Sequence, residues 1–212
     1  MRHFLTVLCS LLLYGSAHAA VIPIGPFTGS TVITFTGLAD QTEVNGLSTD
    51  GVTFSYTIGG VPTNGDVIID EGPGMTNQIM PPNIVTIGDD SGVLGLLLPA
   101  AVTQFGYGYA VSSVLVVPDA TTIALFMNTT NVGSLSFTGN PDPLFAGGFA
   151  GVQSTIPFNR VELTFNSAAA QAFAVDNITF GNPSGLVPEP SSAALMAVAL
   201  LALWPLRKIR LQ

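Results

Sequence analysis

The chain has 212 residues, a formal net charge of −8, 8% charged residues, 23 glycines, 15 prolines and one cysteine, so it is apolar, acidic and turn-rich. Between Ala20 and Val187 lie 12 of the 13 acids and only one of the five basic residues, Arg160, a balance of −11 with no Lys, His or Cys. Those absences exclude a Ser-His-Asp triad, a thiol nucleophile, a zinc site of the usual ligands, a phosphate-loop lysine and a Schiff base, and the charge would repel a nucleic-acid backbone.

At the N-terminus Arg2 and His3 precede a mostly apolar run over residues 4–14. The small residues Ala17 and Ala19 then stand where a signal peptidase reads, which places the cut before Ala20. The run is shorter than the ~20 apolar residues a membrane span needs, so residues 1–19 read as a cleaved signal peptide.

Residues 20–180 read as strands punctuated by turns. Thr-Val-Ile-Thr-Phe-Thr at 31–36 and Gly-Val-Thr-Phe-Ser-Tyr-Thr-Ile at 51–58 alternate polar with apolar, the pattern of half-buried strands. Further runs fall at 66–69, 84–87, 93–98, 102–111, 121–127, 134–138, 145–152, 160–165 and 173–180. Gly, Pro, Asn and Asp fill the gaps, as at 62–65, 71–74, 89–92 and 139–143. About 11 short runs at this spacing predict an all-β sandwich. Only 167–171 hints at a helical turn, and 181–187 reads as a flexible linker.

After the linker, Val187-Pro188-Glu189-Pro190 leads into an apolar stretch ending near Leu206, with Arg207, Lys208 and Arg210 behind it. Residues 190–206 predict a short transmembrane helix held by basic residues on the cytoplasmic side. This 188–212 tail resembles the PEP-CTERM sorting signal of exported bacterial proteins. That resemblance implies processing by an exosortase, a membrane protease acting near Pro188-Glu189-Pro190. A permanent single-pass anchor would have the same topology and differ only in keeping the tail.

A second resemblance covers most of 20–180. Phe-Ala-Gly-Gly-Phe-Ala-Gly at 145–151, Arg-Val-Glu-Leu-Thr-Phe at 160–165 and Phe-Ala-Val-Asp-Asn-Ile-Thr-Phe at 173–180 are similar to the jelly-roll domains common in PEP-CTERM proteins, which resemble carbohydrate-binding modules. The resemblance implies a jelly-roll-like sandwich and association with an exopolysaccharide matrix. It also implies that Asp176, with Asp40 or Glu43, could hold a structural Ca²⁺ through hard oxygen ligands. The other reading of Asp176-Asn177 is a pair that accepts backbone N–H groups at a bend.

Tyr107 and Tyr109 alternate with Gly106 and Gly108 and share one side of a strand with Phe105. They form either a sugar-binding platform or, more in keeping with their apolar flank, a buried face packed closely because glycine lines the other side. Glu162 alternates with Val161 and Leu163 and reads as solvent-facing, within reach of Arg160. No pair of carboxylates stands out as glycosidase machinery. The sequence therefore predicts a non-catalytic exported protein. It is anchored in the inner membrane before processing and then located at the cell surface or in the matrix, with a structural or adhesive role. The alternatives are a carbohydrate-binding module with a defined sugar site and a carboxylate-based polysaccharide-active enzyme. The expected partners are signal peptidase, exosortase, the membrane and exopolysaccharide, the last bridged by divalent cations if it is anionic.

Overall fold

The computed structural model describes residues 20–64, 67–71 and 76–183. The signal peptide and its Ala17 and Ala19, the predicted transmembrane helix, the sorting residues and the linker beyond Pro183 lie outside the described residues.

The described chain is all β. In order, the strands are β1 (Val21–Pro23), β2 (Thr31–Ile33), β3 (Ser48–Thr49), β4 (Val52–Ile58), β5 (Val61–Pro62) and β6 (Val67–Asp70). They are followed by β7 (Asn83–Thr86), β8 (Val93–Val111), β9 (Val117–Met127), β10 (Thr130–Pro141), β11 (Ala146–Phe165) and β12 (Phe173–Gly181). Every pairing between strands is antiparallel, and the strands connect into one 12-stranded sheet.

That sheet is folded over on itself, as two aromatic rings demonstrate. Tyr56 of β4 lies opposite Leu94 of β8, and Phe173 lies opposite Val111, 17 residues further along β8. A straight strand would separate those points by ~55 Å. The rings of Tyr56 and Phe173 are instead 6.2 Å apart between centroids. β8 therefore bends between its halves and passes from one layer of a sandwich to the other, and β11 does so beside it. Register shifts mark the crossing. β11 carries extra residues between Gln153 and Phe158, and β8 carries compensating ones between Leu97 and Val102. Strands that switch layers through such irregularities are how one continuous sheet makes both faces of a sandwich.

One layer contains β7 and β2 beside β12, then residues 104–111 of β8, residues 146–153 of β11, and β1. The other contains β4, residues 93–97 of β8, residues 160–165 of β11, β9 and β10. The alternating residues of both inner faces meet as a single core that includes Phe54, Tyr56, Leu94, Leu96, Phe105, Tyr107, Tyr109, Ile123, Val161 and Phe173. Burial of these side chains is the main stabilising term.

The outer faces of the two layers differ. Over the first layer the segment 76–80 lies close to β8 and β12, and Ile79 is buried with Ala110 and Ala174 in a small satellite cluster. Glycine permits this approach: a Cβ on Gly108 would stand 2.4 Å from the Gln78 carbonyl oxygen. The outer face of the second layer carries a groove.

Candidate functional site

The groove has a volume of about 380 Å³ and is built from three strands that are neighbours in space and distant in sequence. Strand pairing sets Thr53, Leu97, Arg160 and Phe126 in one row across the sheet. The next row on the same face is Ser55, Gly95, Glu162 and Ala124. Period-two alternation puts the buried Phe54, Leu96 and Val161 beneath and these residues above. Gly95 makes the floor. The Ser55 hydroxyl occupies the space above it, 2.5 Å from where a Cβ would stand.

Arg160 is held from three directions. Its Nε donates to the Asn128 carbonyl oxygen at 3.0 Å, its Nη1 pairs with Glu162 Oε1, and its guanidinium carbon lies 3.9 Å from the centre of the Phe126 ring. Cation–π contacts of this kind contribute about 0.5–1 kcal/mol at exposed sites. Asn128 is in turn fixed at the β9–β10 turn, with a left-handed φ of 57°. Its N–H donates to Asn159 Oδ1 at 2.7 Å, and Asn159 Nδ2 donates back to Asn128 Oδ1 at 3.0 Å. The side chains of Arg160 and Glu162 remain 31% and 32% exposed, so the pair is a fixed polar feature open to a ligand. The hydroxyls of Thr53 and Ser55 and the half-exposed Leu97 complete the lining around it. Glu162 does face outward and does pair with Arg160, as its alternation suggests.

The other residues singled out from sequence are placed elsewhere. Tyr107 and Tyr109 are 0% and 1% exposed, their rings tilted against each other in the core between the layers, so neither ring offers a face to a sugar. Tyr107 shares a hydrogen bond with the Thr121 hydroxyl, and Tyr109 donates to the Thr138 carbonyl oxygen at 2.9 Å. Burial pushes the Tyr109 phenol up to about 12.

Asp176, Asp40 and Glu43 are not brought together. Glu43 bridges Ile68 of β6, which pairs with Val85 of β7, which pairs with Ala174 of β12. Three strand spacings are ~14 Å, far beyond direct coordination of one Ca²⁺. Among the described residues there is no group of three or more His, Cys, Asp or Glu that could hold a metal ion. The Asp40 carboxylate accepts the neighbouring Gln41 N–H at 3.0 Å.

Asp176 instead fastens the segment 76–80 to the sheet. Its Oδ2 accepts the Met80 N–H at 3.0 Å and its Oδ1 accepts the Asn177 N–H at 2.6 Å, while Asn177 Nδ2 donates to the Gln78 carbonyl oxygen at 3.1 Å. Asn177 is the left-handed residue (φ 51°) of a bulge in β12, which restores the inward direction of Ile178 and Phe180.

Burial raises the Asp176 carboxyl from 3.8 to about 6, against the lowering effect of the two N–H donors. A folded pKa above the unfolded one means the native state binds the proton more tightly. Stability is then fully favoured below 3.8 and falls as pH rises through 6. Between pH 7 and pH 4 the native state is expected to gain on the order of 2 kcal/mol from this group. Urea denaturation across that range should show the gain, and Asp176→Asn should remove that part of it. Equal pH profiles for both proteins would refute the assignment.

Sequence reasoning identified Arg160 and Glu162 but missed Thr53, Ser55, Gly95, Leu97, Phe126 and Asn128 as their surroundings. The outward Thr-x-Ser-x-Thr of β4 was the available signal, but only the strand order places it beside Arg160.

No known family description matches the chain, and no curated protein does. Among solved structures it is similar to a variant of a family 29 carbohydrate-binding module, at 9% identity and a TM-score of 0.39, covering 81% of this chain and 99% of that one. Another variant of such a module, complexed with cellulohexaose, gives 9% identity and 0.38, covering 79% and 95%. The catalytic domain of an α-1,3-glucanase of family GH87, in complex with nigerose, gives 10% identity and 0.38, covering 68% of this chain and 31% of that domain. Likenesses this distant assign no function.

Proposed function

We propose that this chain is an exported protein of the cell surface or exopolysaccharide matrix, with a structural or adhesive role, whose sandwich contacts polysaccharide through the groove around Arg160. The observation that carries the reading is the placement of Arg160. It is the sole basic residue between Ala20 and Val187, and it is fixed by Asn128, Glu162 and Phe126 in an open, hydroxyl-lined groove. A side chain held in place before a ligand arrives loses little freedom on binding. Export and delivery are supported by the sequence of the two ends. The signal peptide brings the chain across the membrane, and an exosortase acts on the Pro188-Glu189-Pro190 tail.

The role is one of binding rather than catalysis. Among the described residues Glu162 is the single carboxylate lining the groove, whereas glycoside hydrolysis ordinarily needs two flanking the scissile bond.

Arg160→Ala should weaken retention on a matrix polysaccharide at least ~10-fold, equivalent to about 1.4 kcal/mol. Affinity electrophoresis through gels containing polysaccharide from the producing cells would read this. Retention unaffected by the substitution would refute the groove. Intact mass of the protein from membrane and culture fractions tests the sorting half. A chain from Ala20 to about Pro188 supports exosortase processing, and one running to Gln212 in the membrane fraction alone makes the tail a permanent anchor.

A further inference from the structure

We propose that Glu162 sets the ligand class, making the groove select neutral, hydroxyl-rich polysaccharide chains over uronic-acid polymers without a bridging metal ion. This rests on the polysaccharide reading of the groove and specifies its substrate.

The charge distribution carries the argument. The segment from Ala20 to Val187 has a balance of −11, and its one positive charge sits in this groove. Glu162 cancels that charge locally through the ion pair with Arg160 Nη1. A polymer bearing a carboxylate on every sugar would enter an acidic field with no net positive charge to receive it. At physiological salt, charges within about 8 Å of one another are not screened away. It would also bring its carboxylates beside that of Glu162.

The hydrogen-bonding capacity points the same way. Arg160 grips carboxylates best through two parallel N–H donors. Here Nε and Nη1 are already engaged by Asn128 and Glu162, which leaves Nη2 without a hydrogen bond to the described residues. The two N–H donors of Nη2 can each meet a separate hydroxyl oxygen. Thr53 and Ser55 each add a hydroxyl that can donate as well as accept, as sugar hydroxyls do. Leu97, 52% exposed between Thr53 and Arg160, offers apolar surface to the C–H face of a sugar ring. Divalent cations could rescue an acidic ligand only through clustered ligands. Among the described residues Glu162 is the one acid in the groove, and no group of three His, Cys, Asp or Glu occurs.

The test is depletion of the full chain, kept in a polyoxyethylene detergent, onto beads coupled with neutral galactomannan or with polygalacturonate, each with and without EDTA. The expected result is at least ~10-fold stronger depletion onto the neutral polymer, unchanged by EDTA. Glu162→Gln, which leaves Arg160 uncompensated, should raise depletion onto polygalacturonate at least ~5-fold. Stronger binding of the wild type to polygalacturonate, loss of binding in EDTA, or a Glu162→Gln variant with an unchanged preference would overturn the inference while leaving polysaccharide binding standing. Depletion onto neither polymer would overturn the polysaccharide reading and this inference with it. The wild-type preference and the EDTA arm require no variant to fold.

Discussion

Tyr107→Ala is expected to destabilise the sandwich by about 3–5 kcal/mol, the range for truncating a fully buried aromatic side chain. Tyr107 is 0% exposed, and its ring lies between those of Phe105 and Tyr109, with centroids 5.9 and 6.1 Å away. Its hydroxyl meets the Thr121 hydroxyl, and Thr121 reaches the Thr164 carbonyl oxygen at 3.1 Å. Tyr107 stands in one layer, whereas Thr121 and Thr164 stand in the other, so this chain of contacts ties the two together. Truncation leaves a cavity between the layers and removes the tie.

Tyr107→Phe separates these two contributions. It keeps the ring, and Thr121 keeps its bond to Thr164, so the expected cost is only about 1 kcal/mol. Equilibrium urea denaturation measures both. The same experiment decides between a core tyrosine and a surface platform for sugar, because substitution of an exposed residue away from special features usually changes stability by less than about 0.5 kcal/mol. A near-neutral Tyr107→Ala would place the ring at the surface and refute the core described here.

Much of the strand pattern was legible because alternation is a local property. β4 reads buried-exposed from Val52 to Tyr56, as its apolar and hydroxyl residues dictate. Two strands were read as four. The runs 93–98 and 102–111 are both β8, and 145–152 with 160–165 is β11. Pro99 and the irregular stretch 153–159 do disturb these strands. A disturbance in one strand does not say whether the chain turns back or crosses to another layer. That depends on a partner making the complementary shift, as β8 and β11 do for each other. The run 31–36 was read too long for a different reason. β2 ends at Ile33, and Phe35 takes a left-handed φ of 56° while its ring still reaches the core, 5.9 Å from that of Phe54.

The groove was the least legible part because it is assembled from pairings distant in the chain. Composition made Arg160 conspicuous, and alternation put Glu162 on its face. The third support, Phe126, lies opposite Arg160 only because β9 pairs with β11, 34 residues further along the chain at that point. The acids named for calcium are kept apart by the same kind of distance. Asp176 and the acids near 40 are separated by β6 and β7, which sequence spacing does not reveal.

Gly147→Val is expected to cost about 3 kcal/mol, the upper end of the usual penalty for overpacking, because the obstruction is backbone. A Cβ at 147 would stand 2.2 Å from the Tyr109 carbonyl oxygen and 3.0 Å from the Ala110 Cα. Gly147 pairs with Ala110 at the start of the longest run of contact between β11 and β8. Neither atom can move aside without shifting Tyr109, whose side chain is in the core, or the β8–β12 pairing on its other edge, where Ala110 faces Ala174. The glycine-rich run 145–151 thus has a packing reason of its own. Gly147 admits β8, and Gly151 admits the Ile24 carbonyl oxygen, which a Cβ would approach to 2.7 Å. Gly25→Val is the control, since nothing lies within 4 Å of a Cβ there. Its expected effect is within about 0.5 kcal/mol. Thermal or urea denaturation of the two variants should separate them clearly. Equal stabilities would mean that β8 and β11 do not approach as closely as this fold requires, and the layer crossing built on their pairing would have to be redrawn.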